Sequence, residues 1–279
     1  MADAGLDSFL RHIRACLSAR LPGERRPFRL GTVQVGWLRP ALAAALAGFP
    51  AVRQDAGAVV LDDPTALPGI ARTLSDRGHY RWRAEAFDVR ATPEGPALAQ
   101  IDRGAIPSFG LLSVGVHVNG LVRRADGLHL WIGRRAADKA LDPNKLDHLT
   151  AGGVPAGLTP EQTLVKEAEE EAAIPPELAR QARRVGRIAY AMERPEGLRR
   201  DCLLCYDLDV PEDFTPHPTD GEVAAFELWP VQRVLETVRD TDAFKFNVNL
   251  VLIDLFLREG LIAGDAALQL RDALEAGTV

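Results

Sequence analysis

The sequence predicts an α+β protein: a mixed sheet covered by helices, preceded by a smaller α+β unit. Three observations lead there. Segments with the period-two alternation of strands are interleaved with segments of helical period along all 279 residues. The chain is 47% hydrophobic and 26% charged, an ordinary globular balance with enough length for one large core or two modest ones. The pattern also changes at "IPSFGLLSVGVHVNGLV". A boundary is therefore expected there, between an N-terminal unit at 1–108 and a second unit at 109–279.

Taken in order, residues 6–20 are expected to be helical. "FRLGTVQVGWL" alternates like a strand, and "PALAAALAGF" starts a helix with Pro40 in its first turn. "AVRQDAGAVVLDD" reads as strand, turn and strand, and "PTALPGIARTLSDRG" as a helix closed by Gly78. "YRWRAEAFDVRA" is strand-like. This first unit carries no legible chemistry. In the second, "LLSVGVHVNGLV" and "LHLWIGRR" are strands joined by a turn at "ADG", followed by the polar loop "AADKALDPNKLDHL" and an acidic helix. Strands follow at "RRVGRIAYAM", "DCLLCYDLDV" and "EVAAFELWP", then helices at "VQRVLETVRD", "NVNLVLIDLFLRE" and "DAALQLRDALEAG".

Several function classes are excluded. The net charge is −6 with no basic face, so no nucleic-acid partner is expected. No apolar run is long enough to span a bilayer, so no membrane partner is expected either. The start, "MADAGLDSFLRHIRACLSARL", is amphipathic and carries Asp3 and Asp7. It resembles neither a secretory signal nor an acid-poor transit peptide. Three cysteines are too few for a disulfide framework. Cys202 and Cys205 are three apart on a strand and point to opposite faces, as core cysteines of a reducing cytoplasm would.

The chemistry concentrates in "GGVPAGLTPEQTLVKEAEEEAAIP". Thr159 caps a helix and Pro160 occupies its first turn. Leu164, Val165, Ala168 and Ala172 share the apolar face. Glu167, Glu170 and Glu171 fall within a sector of ~100°, whereas Glu169 points toward Lys166 and solvent. Like charges four apart are destabilising. Three carboxylates on one sector can instead offer oxygen ligands to a hard divalent cation, which offsets that repulsion.

This stretch resembles the Nudix box, G-x5-E-x7-R-E-U-x-E-E-x-G-U, where U is bulky and apolar. Its glycine falls on Gly152, the central Glu on Glu167, the Glu pair on Glu170 and Glu171, and the last apolar position on Ile174. Three positions depart: Leu158 replaces the first Glu, Lys166 the Arg, and Ala173 the late Gly. Together with "MERPEGLRRDCLLCYDLDVPEDFTPHPTDGEVAAFELWPV" and "FKFNVNLVLIDLFLREG", the chain is similar to the Nudix subfamily that has an extra N-terminal domain and is related to the Nudix part of thiamine pyrophosphokinase fusions.

That resemblance implies a Nudix α/β/α sandwich and a small-molecule diphosphate substrate. It also implies Glu167, Glu170 and Glu171 as ligands of Mg²⁺ (or Mn²⁺), with Glu170 and Glu171 catalytic. It suggests hydrolysis of damaged thiamine diphosphates, such as the oxo and oxythiamine forms, to the monophosphate and phosphate. The box reads only diphosphate and metal. ADP-ribose, a sugar nucleotide, a dinucleotide or a coenzyme therefore remain open as substrates. The change at Leu158 leaves open a catalytically silent, ligand-binding regulator.

A base for the attacking water is sought in Glu222 of the "TDGEV" loop, with Glu193 and Glu196 behind it. Phosphate contacts are expected from the backbone at Gly152 and Gly153 and from Arg134, Lys166 and Arg194. Arg135, Arg199 and Arg200 are further candidates. Lys166 is better placed for a salt bridge. His117 and His129 read as structural, and His148 lies nearer the phosphate path. Trp37, Trp82, Trp131 and Trp229 are the candidates for stacking on a base. The N-terminal unit is expected to form or cover part of the pocket. Oligomeric state is not legible, and a homodimer stays open.

Overall fold

The computed structural model describes residues 2–139 and 141–277. The chain runs through α1 (Ala2–Cys16), the hairpin β1 (Arg26–Leu30) and β2 (Val33–Leu38), α2 (Pro40–Leu46), the hairpin β3 (Val52–Asp55) and β4 (Ala58–Leu61), and α3 (Leu67–Asp76). The short strands β5 (Ala86–Val89) and β6 (Ala99–Asp102) follow, then the one-turn α4 (Ile106–Phe109). The first sheet has the order β2-β1-β4-β3, and β5-β6 form a separate ribbon. Phe28, Leu38, Leu46, Leu61, Leu67, Leu74 and Phe109 close this unit's core.

Two local expectations change here. "FRLGTVQVGWL" is two strands, because Gly31 takes a left-handed φ of 56° and turns the chain back. Phe109 and Leu111 still belong to the first core, so the change of core falls at Leu112, a few residues beyond 108.

The second unit comprises β7 (Leu112–Arg124), β8 (Gly127–Arg135), β9 (Leu146–Asp147), β10 (Thr150–Gly153), α5 (Pro160–Ala172), α6 (Pro176–Ala179), β11 (Arg183–Arg194), β12 (Gly197–Asp209), β13 (Val223–Pro230), α7 (Val231–Asp240), α8 (Val248–Arg258) and α9 (Gly264–Glu275). Its seven-stranded sheet has the order β11-β12-β7-β8-β13, with β10 on β7 and β9 on β8. It is mixed: β12 runs parallel to β7, and the other pairs are antiparallel. Val116 and Val118 face one side, where Leu164, Ala168 and Ala172 of α5 cover them. Leu121 and Cys205 face the other, under α1, α7, α8 and α9. The result is the expected α/β/α sandwich. Cys202 and Cys205 lie on opposite faces, and all three cysteines are unpaired. No helix of the described residues is long and apolar enough to cross a membrane.

The first helix is not part of the first unit's core. Its stripe of Leu6, Phe9, Ile13 and Cys16, at helical spacing, packs with Phe256 and Leu270 of the second unit. The two units are therefore braced by sequence exchange as well as by contact. Arg25, only 6% exposed, makes a forked pair with Glu193 at 2.7 and 2.9 Å, and Arg39 adds a second cation at 2.9 Å. Arg200 is buried and donates to the carbonyls of Val35 and Gly110 at 3.1 and 3.0 Å. Glu193 and Arg200, both considered for the site from sequence, are thus joints between the units.

Candidate functional site

The site is built on α5 and the strand beneath it. Thr159 and Gln162 form a reciprocal capping box, and Pro160 opens the first turn. The helix ends at Ala173, which has φ 54° and closes it with the bonds Ala173 N–H to Glu169 O and Ile174 N–H to Ala168 O, each 3.1 Å. The box glycine position at Ala173 is thus a left-handed cap. Beneath α5, β10 pairs with β7, placing Gly152 opposite Val116.

Glu167 lies over Gly152 so closely that a Cβ there would stand 2.4 Å from the Glu167 Cδ. Gly152 thus leaves room for the carboxylate above it, a reason distinct from backbone approach to phosphate. One turn on, Glu171 is 8% exposed and accepts from Thr150 Oγ1 at 2.6 Å and from the Ala151 N–H at 3.0 Å. Glu170 is different: its side chain is 52% exposed and pairs with Lys166. Lys166 also reaches Glu167 at 3.4 Å, so it serves the acid face rather than Glu169.

Burial pushes the Glu171 carboxyl up to about 8 against the two hydrogen bonds it accepts, and the charges of Asp147 and Glu167 push the same way. Burial also raises Glu167, with Lys166 opposing and Glu170 and Glu222 adding repulsion. Lys166 is thus shared by the enclosed Glu167 and the exposed Glu170, while Glu171 rests on Thr150 and the Ala151 N–H. Among the described residues no three His, Cys, Asp or Glu side chains stand together in ligating geometry, because Glu170 turns to Lys166 and Glu171 closes on Thr150. The chemistry of the donors nonetheless suits a hard divalent ion: all are carboxylate oxygens with negative charge to spare.

Glu222 lies in the loop just before β13. Its carboxylate pairs with Lys139, and its backbone carbonyl accepts from the Ala136 N–H at 2.9 Å. Burial works to raise this carboxyl, but the bond and charge of Lys139, with Arg103 and Arg135 behind, hold it below its ordinary value. The loop before it is anchored to the end of α5, where His217 N–H bonds Ala172 O at 3.1 Å and the Thr219 hydroxyl bonds Glu170 O.

The remaining expected residues disperse. Arg134 is exposed and donates to Asn144 O at 3.2 Å. Arg194 lies 5.1 Å over the Phe246 ring and faces Asp142 and Glu196 at 3.8 Å each, not the glutamates of α5. Arg199 pairs with Asp201 at 3.0 Å. Glu196 faces Arg194 and Arg199. Trp131 and Trp229 are buried in the sandwich cores, and Trp82 lies under Arg72. His129 is buried beside Gly127 O at 3.3 Å.

Sequence reasoning missed a buried charged group behind Glu171. Asp147 pairs with Arg135 at 2.8 Å and with Lys245 at 3.6 Å, and accepts from the His148 N–H at 2.9 Å. Burial opposes the Asp147 charge, yet Lys245, His148 and Arg135 together hold the carboxyl well below its usual range. Burial lowers Lys245, and Asp147 and Glu171 resist that shift. His148 is lowered to about 4 by burial and stacks edge-on against His117 at 5.2 Å. One signal was available: Lys245 is the lone charge in "AFKFNVNLVL".

A helix of carboxylates thus lies over a glycine strand of a mixed, helix-covered sheet, a donor set suited to a hard divalent ion. Residues 114–248 match the NUDIX domain, and residues 8–113 match a domain of unknown function (DUF4743). The chain is 38% identical over 273 residues to Nudix hydrolase 24, chloroplastic, of Arabidopsis thaliana, covering 93% of this chain and 75% of that protein. It is 40% identical over 207 residues to Nudix hydrolase 20, chloroplastic, of the same plant, covering 74% of this chain and 55% of that relative's length. The crystal structure of DR0079 from Deinococcus radiodurans is similar at 21% identity and a TM-score of 0.43, over 60% of this chain and 97% of that one. The chain belongs to the Nudix hydrolase family and is a Nudix pyrophosphohydrolase with an N-terminal DUF4743 domain. Members of this family generally use divalent metal ions.

Proposed function

We propose that this protein hydrolyses the diphosphate of damaged thiamine diphosphates, releasing the monophosphate and phosphate. The observation that carries the hydrolytic part is the pair of enclosed carboxylates, Glu167 and Glu171, stacked over the Gly152 strand with too little positive charge of their own. The substrate part is supported by the likeness of residues 110–260 to the thiamine-related subfamily. A bound Mg²⁺ or Mn²⁺, held by Glu167, Glu170 and Glu171, would neutralise the diphosphate and polarise its phosphorus–oxygen bonds. Glu170 is exposed and tethered only by Lys166, so little energy holds it away from such a role.

Glu167 and the Phe87 ring already cover Gly152 and Gly153, so in this reading the positive charge for the phosphates comes from Lys166 and Arg134. Glu222 takes or orients the proton of the attacking water. Lys139, Arg103 and Arg135 hold its carboxyl below the ordinary value, which keeps it ionised at neutral pH, the state a proton acceptor requires. Water bonds to phosphorus, the bridging oxygen leaves with the other phosphate, and the proton goes to the carboxylate. The three unpaired cysteines fit a reducing compartment such as the cytoplasm.

The test is kcat/KM, with Mg²⁺, for oxythiamine diphosphate, thiamine diphosphate, ADP-ribose and a sugar nucleotide. Oxythiamine diphosphate should lead. A lead of tenfold or more by ADP-ribose or the sugar nucleotide, about 1.4 kcal/mol of transition-state preference, reassigns the substrate while leaving the hydrolytic chemistry in place. Turnover undiminished in a chelator would remove the metal.

A further inference from the structure

We infer that Arg103, supplied by the N-terminal unit, binds a phosphate of the substrate opposite the glutamates of α5, so that both units hold the diphosphate. The inference rests on the hydrolytic reading above. It begins with a docking contact: the Ala156 N–H, in the loop that leads from β10 to α5, donates to Ala86 O of β5 at 2.8 Å. Beside it the Phe87 ring presses on Gly153, where a Cβ would stand 2.8 Å from the ring's Cζ. Gly153 adjoins Gly152, on which Glu167 rests. The edge of the first unit therefore forms one wall of the glutamate site.

Arg103 stands on that wall. Its backbone N–H bonds Glu85 O at 2.8 Å, its guanidinium lies 5.7 Å over the Phe87 ring, and Nη1 pairs with Glu85 at 2.8 Å. The turn that presents it is tightly made. Buried Asp102 accepts from the N–H groups of Gly104 at 2.8 Å, Arg83 at 2.9 Å and Glu85 at 3.2 Å. Gly104 has no room for a side chain, since a Cβ would meet Arg81 O at 2.0 Å.

The Arg103–Glu85 pair is exposed on both sides, at 55% and 38%, and such pairs add little to stability. A rigid turn carrying a half-free guanidinium beside a surplus of acids is better explained by an anionic ligand, which arginine can grip with two parallel N–H bonds.

The test uses the full chain with Arg103→Ala, Arg103→Lys and, as a remote control, Arg53→Ala. Three quantities are measured with Mg²⁺: KM and kcat for the best diphosphate of the panel, and calorimetric affinity for imidodiphosphate, which is not hydrolysed. Arg103→Ala should raise KM and weaken imidodiphosphate binding by about tenfold or more, the scale of a lost charge-assisted bond. Arg103→Lys should recover part of both, and Arg53→Ala neither lose nor gain. Melting temperature should not move. KM and affinity of Arg103→Ala within twofold of wild type would overturn the inference. A wild type that binds imidodiphosphate through Arg103 but hydrolyses no diphosphate would instead overturn the hydrolytic reading and leave the binding residue standing.

Discussion

Between residues 26 and 111 the described buried side chains are apolar, with Asp102 as the one charged exception, and three backbone N–H groups satisfy it. Beneath and behind α5 the picture reverses. His117, Asp147, His148, Thr150 and Glu171 are all buried within a few strands of one another, and His117 Nδ1 and His148 Nε2 have no hydrogen-bond partner. A buried polar atom without a partner costs about 1–3 kcal/mol, and a buried carboxylate with too little compensation costs more. The first region is thus arranged for stability. The second gives stability up where a ligand's charge is to be met, as active sites commonly do.

Glu171→Gln should break this contrast most sharply. It removes the acid that burial destabilises, so turnover should fall by about two orders of magnitude or more while the metal-free protein becomes harder to unfold at pH 8. Leu61→Ala, in the apolar core, should do the opposite. It should cost about 2–5 kcal/mol of stability and leave kcat per folded molecule nearly unchanged. Steady-state kinetics beside urea denaturation would show both, and a stability loss in Glu171→Gln would contradict the contrast.

The pH dependence follows from the same group. Glu171 has an ordinary value of 4.5 and is raised to about 8 in the fold. Between these limits the folded protein keeps a proton that the unfolded chain has lost. Its contribution to stability is therefore complete below about pH 4.5 and falls away as pH rises through about 8, by a few kcal/mol in all. Urea midpoints of chelator-treated protein at pH 5.5 and 8.5 should differ more in wild type than in Glu171→Gln. Equal slopes would assign the effect elsewhere. Added Mg²⁺ should flatten the wild-type profile, since metal and proton compete for the carboxylate.

Arg25→Met probes the seam between the regions. It leaves Glu193 half-exposed with Arg39 as its remaining cation, so a loss of about 1–3 kcal/mol is expected by thermal melting. The smallest effect should come from Ala173→Gly. Relieving a left-handed alanine should add about 0.5–1 kcal/mol and leave kcat unchanged. A kinetic effect there would mean that the end of α5 also positions its acids.

By itself the sequence determined the elements whose causes are local. The start of α5 follows from Thr159 and Pro160, its buried face from the spacing of Leu164, Ala168 and Ala172, and the opposed faces of Cys202 and Cys205 from the two-residue period of a strand. The glutamate helix and the family it belongs to were legible for the same reason, since a contiguous motif carries its own geometry. Tertiary structure alone decided the rest. It moved α1 into the second unit's core, folded "FRLGTVQVGWL" into a hairpin at Gly31, and divided the acids into an enclosed Glu171 and an exposed Glu170. It also brought Asp147 to Lys245, and Arg103 and Phe87 to the wall beside Gly153. These outcomes depend on which surfaces dock across long separations in the chain, and burial and charge at a residue are properties of that docking rather than of its neighbours in sequence.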